Sequence, residues 1–173
     1  MKTINKKIDN GFSVMEIIIY LSIFTVMSIV VINSFIIILS SFSSIRTNHD
    51  LLDSGSMAME RITREIRNAK SIDLTGSNSV FESNSGAIRL KDVDGTSYID
   101  ITRSTNFLNL SKNGTLFGNL LAPNIIVTKL YFRHIVTAKG EAIKIEMILQ
   151  DKRSKINKTA NFYDTVTLRG GIN

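Results

Sequence analysis

The sequence predicts an α+β fold: a long N-terminal helix, membrane-spanning in its first half, packed on an antiparallel β-sheet head. Three observations carry this. An apolar run of 28 residues extends from Phe12 to Leu39. Beyond it, a polar stretch keeps apolar residues at helical spacing as far as Ala69. From Ser71 onward, short alternating segments are separated by Asp-Gly and Asn-Gly turns. A helix followed by a succession of strands is the pattern of segregated α and β layers.

The apolar run, as a helix, would be roughly 42 Å long, against roughly 30 Å for bilayer hydrocarbon. It contains Glu16 and Asn33 but no Lys or Arg. Lys2, Lys6 and Lys7 stand before it, so the positive-inside rule places the leader in the cytoplasm and the rest outside. An ordinary cleaved signal has a much shorter apolar core that ends in small residues. The serine cluster Ser40, Ser41, Ser43 and Ser44 imitates such an end, but the core is too long. A plain uncleaved anchor explains the length and leaves Glu16 unexplained. A carboxylate within a membrane helix costs roughly 3 kcal/mol on insertion scales, so it needs a job and a partner.

After the serines, Leu52, Met59, Ile62, Ile66 and Ala69 recur at spacings of seven, three, four and three. This is the apolar stripe of a one-sided helix. Glu60 and Arg64 form an i, i+4 pair in the favourable order, and Gly55 is a point where the helix would bend or break. Ala87–Leu90 and Tyr98–Ile101 alternate around Asp92-Val93-Asp94-Gly95, a hairpin turn. Phe107, Leu108 and Leu110 lead to Asn113-Gly114, a two-residue hairpin signal, with Leu116-Phe117 beyond. Two longer strands, Thr128–Val136 and Ala142–Leu149, meet at Lys139-Gly140; a last one covers Phe162–Leu168. Asp151–Asn161 is the best loop candidate. One sheet would take the helical stripe on one face.

The segment Lys6-Lys7-Ile8-Asp9-Asn10-Gly11-Phe12-Ser13-Val14-Met15-Glu16 resembles the processing site of type IV prepilins and type II secretion pseudopilins. The resemblance implies cleavage by a prepilin peptidase between Gly11 and Phe12, N-methylation of Phe12, and a pilin-like fold. It makes Glu16 the fifth mature residue, the assembly carboxylate that meets the Phe12 amine of a neighbouring subunit. The implied organisation is a cytoplasmic leader at 1–11, a transmembrane and filament-core helix at 12–39, an amphipathic continuation at 40–70 and a β-rich extracytoplasmic head at 71–173. The implied partners are the peptidase, other pilin or pseudopilin subunits, an inner-membrane assembly platform and membrane lipid. The segment Met59–Ala69 and the end Thr165–Arg169 look like minor pilins of the W type and minor pseudopilins of the J type. Many major pilins have a proline where this chain has Asn33, and a C-terminal disulfide loop. This chain has no cysteine, and its one proline is Pro123. Both departures favour a minor subunit. An unprocessed signal-anchored adhesin or binding protein is the alternative, and a secreted binding protein with an ordinary signal is a second.

Other chemistry is thin. The formal charge is +6; residues 1–11 hold three Lys and one Asp, so a chain starting at Phe12 keeps +4 before its amino terminus is counted. That mild excess suits an anionic surface without requiring nucleic acid. Lys152, Arg153, Lys155 and Lys158 form a basic cluster that could touch DNA or anionic lipid, but no aromatic residue is interleaved for stacking, and a solvated loop accounts for it better. Asp92-Val93-Asp94-Gly95 resembles a fragment of a calcium loop, but the position that should bring a glutamate is Arg103, and an Asp-Gly turn suffices. His49 and His134 lack metal-ligand spacing, and there is no nucleophile elbow or phosphate loop. No metal, cofactor or catalytic site is expected; the sequence reads as structural rather than enzymatic.

Overall fold

The computed structural model describes residues 13–75, 78–137, 140–153 and 158–169. The chain divides into two compact units, Met1–Ser43 and Ser44–Asn173. Helix α1, Val14–Asn68, contributes to both.

In the first unit the helix starts at Ser13, whose carbonyl accepts bonds from the Glu16 and Ile17 amides at 3.0 and 3.2 Å. From Val14 to Phe42 every large apolar side chain is exposed; the least exposed, Ile38, is still 49 % accessible. The helix is long and apolar enough to cross a membrane, with a stretch of mean hydropathy 2.5 that is not buried at all. Water does not tolerate such a surface, whereas hydrocarbon does.

The second unit has α+β architecture. A five-stranded antiparallel sheet runs in chain order through β1 (Ser71–Ile72), β2 (Ala87–Lys91), β3 (Tyr98–Ser104), β4 (Phe107–Lys112) and β5 (Thr115–Asn119). A three-stranded antiparallel sheet follows, with β6 (Ile125–Thr137), β7 (Gly140–Asp151) and β8 (Thr159–Thr167). The single sheet expected from sequence is thus two. The break falls at Leu120–Asn124, where Pro123 has no N–H to give a ladder, and β6 pairs forward with β7 instead of back with β5. Both sheets and the helix share one core. Leu51, Ala58, Ile62 and Ile66 of α1 join Ile88, Leu90 and Ile101 of the first sheet and Phe132, Ile143, Ile145 and Met147 of the second.

Both hairpin turns form as expected. Gly95 closes the first at φ 72°, its amide bonded to the Asp92 carbonyl at 2.9 Å. Asn113 and Gly114 take φ 51° and 80°, the double left-handed conformation that a two-residue hairpin requires. The β3–β4 turn at Thr105-Asn106 was not anticipated; Thr105 sits at φ 53°, an uncommon state for a β-branched residue. The long strands extend further than the sequence pattern, so the Asp151–Asn161 loop contracts to the segment before Thr159. Residues 154–157 of that loop, and Lys139, lie outside the described residues.

Three helical expectations are corrected. Leu51 rather than Leu52 faces the core; Leu51 is fully buried and Leu52 is 45 % exposed. The ion pair on the outer face is Arg61–Glu65 at 2.7 Å, not Glu60–Arg64. The helix also passes Gly55 without a break. Gly55 is buried because the Phe162 ring of β8 lies where its side chain would be: a Cβ there would come within 2.1 Å of Phe162 Cζ. The missing side chain sets how closely helix and strand approach. The hydroxyl oxygen of Ser54 beside it accepts the Ala122 amide at 3.1 Å.

Helix propensity alone favours alanine over glycine by about 1 kcal/mol. We nevertheless expect Gly55→Ala to destabilise a soluble fragment beginning at Ser44 by about 1–3 kcal/mol in urea unfolding, the usual cost of overpacking. Adding Phe162→Ala should remove the extra cost of the alanine. A stabilised single variant would show that the ring yields freely.

Candidate functional site

Glu16 lies in the first turn of α1, where the unpaired amides of the helix end favour a negative charge. The Tyr20 hydroxyl, one turn on, donates to Glu16 Oε1 at 2.8 Å. The spacing of four puts both side chains on one face. Within the chain itself, therefore, the carboxylate already has a donor. Its second oxygen, Oε2, has no hydrogen-bond partner among the described residues and stays open to an outside donor. Gly11 and Phe12, the expected cleavage pair and methylation site, lie outside the described residues. Tyr20 was missed in the sequence because it reads as one more apolar residue of the run. An i, i+4 tyrosine after an intramembrane carboxylate is the signal that would have found it.

The basic cluster is largely occupied by its own fold. Arg153 Nη2 bonds Asp50 Oδ2 of α1 and Asp151 Oδ2 of β7, both at 2.8 Å. Asp151 is fully buried, and these two carboxylates push the Arg153 guanidinium still further toward the protonated form. Lys158 Nζ donates to the Ser44 carbonyl at 3.0 Å and to the Ser44 hydroxyl. Lys152 is exposed, and Lys155 lies outside the described residues. Arg153 and Lys158 thus fasten the ends of β7 and β8 to the start of this unit's helix.

The Asp92–Gly95 carboxylates are likewise used locally. Lys112 Nζ meets Asp92 Oδ2 at 2.5 Å and, with the Val93 amide, holds the Asp92 carboxyl below its usual range. Asp94 accepts the Ser97 hydroxyl at 2.6 Å, the Ser97 amide at 2.8 Å and the Thr96 amide at 2.9 Å. Those bonds lower its pKa to about 2, with the Ser97 hydroxyl the main cause. His49 pairs with Asp53 at 2.8 Å, and His134 lies 3.3 Å from Glu141 and stacks on Phe81. No group of three metal-binding side chains occurs among the described residues. A groove of about 550 Å³ near the helix end is lined by Arg61, Glu65, Asp92, Lys112, Phe117 and Arg169. Four of its charges are already paired, as Arg61–Glu65 and Lys112–Asp92.

No protein-family model, no curated protein and no solved structure matches this chain. The functional reading therefore rests on the residues themselves.

The turn carboxylates give a test of the head's acid response. Asp94 has a folded pKa below the unfolded value of roughly 3.9, so its contribution is complete above that value. It is lost as pH falls from about 4 through about 2. In urea unfolding at stepped pH, Asp94→Asn should be less stable than wild type at neutral pH and lose less on acidification. Parallel pH curves would show that the turn bonds do not distinguish charged from neutral carboxyl.

Proposed function

We propose that this chain is a prepilin-like minor structural subunit of a type IV pilus, a competence pilus or a type II secretion pseudopilus. The observation that carries the reading is Glu16: a carboxylate in the first turn of a helix whose large apolar side chains are exposed from Val14 to Phe42, the fifth residue after the Gly11-Phe12 step. The subunit enters the cytoplasmic membrane by one pass with its C-terminus outside. A prepilin peptidase removes residues 1–11, and the new Phe12 amine is methylated. The assembly platform then passes the subunit into a filament, where Phe12–Leu39 helices bundle and heads face outward. Glu16 Oε2, which has no partner among the described residues, is the acceptor for the amine of a neighbour. Two opposite charges in hydrocarbon gain far more from each other than from lipid. Asn33 in place of proline and the lack of cysteine support a minor subunit, and the head's self-paired charges support a structural role over an enzymatic one. DNA contact by Lys152 and its neighbours has weaker support, since Arg153 and Lys158 are engaged within the head.

Mass spectrometry of the membrane-extracted N-terminus tests the processing step. Phe12 as the first residue supports the reading; Met1 retained points to an anchored adhesin, and an end near Ser44 to a secreted protein. Gly11→Val should leave full-length precursor in the membrane, because a side chain there obstructs close approach to the peptidase. Normal trimming of that variant would sink the reading.

Glu16→Val separates assembly from processing. The variant should insert and be trimmed, then be depleted from sheared surface fibres relative to membranes. Equal entry into fibres would refute inter-subunit pairing at this carboxylate.

A further inference from the structure

The polar groups of the anchor can be followed one by one. Ser22, Thr25, Ser28 and Ser34 each donate their hydroxyl to the carbonyl four residues back, at 2.7–2.8 Å. Ser40 and Ser41 both donate to the Ile37 carbonyl. The Tyr20 hydroxyl donates to Glu16 Oε1, leaving Oε2 without a partner among the described residues. Asn33 alone, among the described polar side chains from Val14 to Phe42, has no hydrogen-bond partner, and it is exposed on the helix surface. It stands six residues inside the Leu39 end of the apolar run, about 9 Å along the axis. With the roughly 42 Å run centred on roughly 30 Å of hydrocarbon, its amide still falls inside the hydrocarbon edge. In hydrocarbon an amide with two donors and one acceptor must find a partner on another chain.

We propose that Asn33 is the contact point at which two copies of this chain pair in the membrane. Two features favour a second copy over an unrelated helix. A primary amide is both donor and acceptor, so two of them satisfy each other across a two-fold axis. Copies inserted with the same topology also carry Asn33 at the same depth, so parallel helices bring the two amides face to face, as a single buried asparagine fixes register in a parallel coiled coil. The flanking face suits close approach. Ser22 lies eleven residues before and Ser40 seven after, three and two helical turns away on the same side. Their hydroxyls are folded onto the helix's own carbonyls, so they present small surfaces that do not compete for the amide. Val26, Ile29 and Ile37 fill the turns between. The proposal requires a membrane-spanning helix but not leader removal, so it stands or falls separately from the prepilin reading.

The test uses the full chain in phosphatidylethanolamine–phosphatidylglycerol vesicles. The chain has no native cysteine, so single cysteines report unambiguously. Ile29→Cys, four residues from Asn33 and on its face, should form an oxidised dimer. Val31→Cys, two residues away and on the far side, should not. Energy transfer between labelled copies should show association that Asn33→Val weakens roughly ten-fold and Asn33→Gln restores. Gly11→Val, which retains the leader, should pair like wild type. A monomeric wild type, equal cross-linking at both cysteines, or an Asn33→Val chain that associates like wild type would each overturn the proposal. So would failure of Asn33→Gln to restore association.

Discussion

The contact between Gly55 and the Phe162 ring is the constraint on which the head depends. A sheet with one apolar face must bury it, and here two sheets look to a single helix for cover. The helix can serve both only if it lies close to β8, and only a residue without a Cβ permits that distance. Once Gly55 is seated, the 3.6-residue period turns Leu51, Ala58, Ile62 and Ile66 inward. It also places Ser54 against the Ala122 amide and Thr63 within 2.9 Å of Asp164 on β8. The polar stitches follow from the apolar fit.

The same contact explains what the sequence could and could not disclose. Periodicity located the helix and its core residues Met59, Ile62, Ile66 and Ala69, since those are large or well-spaced apolar side chains. It chose Leu52 over Leu51 because adjacent leucines score alike, and the tie is broken by the small residues Gly55 and Ala58, which hydropathy does not weigh. The alternation of Ile143, Ile145, Met147 and Leu149 announced β7 because one face is buried and the other is wet. Asn113-Gly114 announced its hairpin because few residues accept two positive φ angles. Thr105 gave no such warning, being a residue that rarely adopts that conformation. β1, two residues long, has no period to read. At the candidate site Glu16 was legible as a charge out of place, while Tyr20 was hidden by its ring, which counts as apolar until its hydroxyl is given a partner.

Placement of polar groups also locates where function resides. In the head, charges meet charges: Arg89 reaches Asp100 at 2.6 Å and Lys129 reaches Glu146 at 3.0 Å. Each such pair is partly exposed and adds little stability, but together they leave few groups free to converge on a ligand. With no cysteine in the chain for a disulfide, the shared core is what holds the head. The anchor presents the opposite condition. Among its described residues the serine and threonine hydroxyls are folded onto the helix itself, while Glu16 Oε2 and the Asn33 amide have no partner, and hydrocarbon, the surroundings such an apolar surface suits, is the solvent least able to satisfy them. A chain under no pressure to associate would gain stability by replacing both with leucine. The two proposals give each of them a partner on another chain. The two groups differ in kind: a carboxylate wants a cation and so a different end of another chain, whereas an amide is content with its own likeness. The first suits a staggered contact that propagates along a fibre and the second a level contact that closes as a pair. Both proposed contacts would draw on one helix, so level pairing through Asn33 and staggered packing through Glu16 would be geometrically distinct arrangements of it.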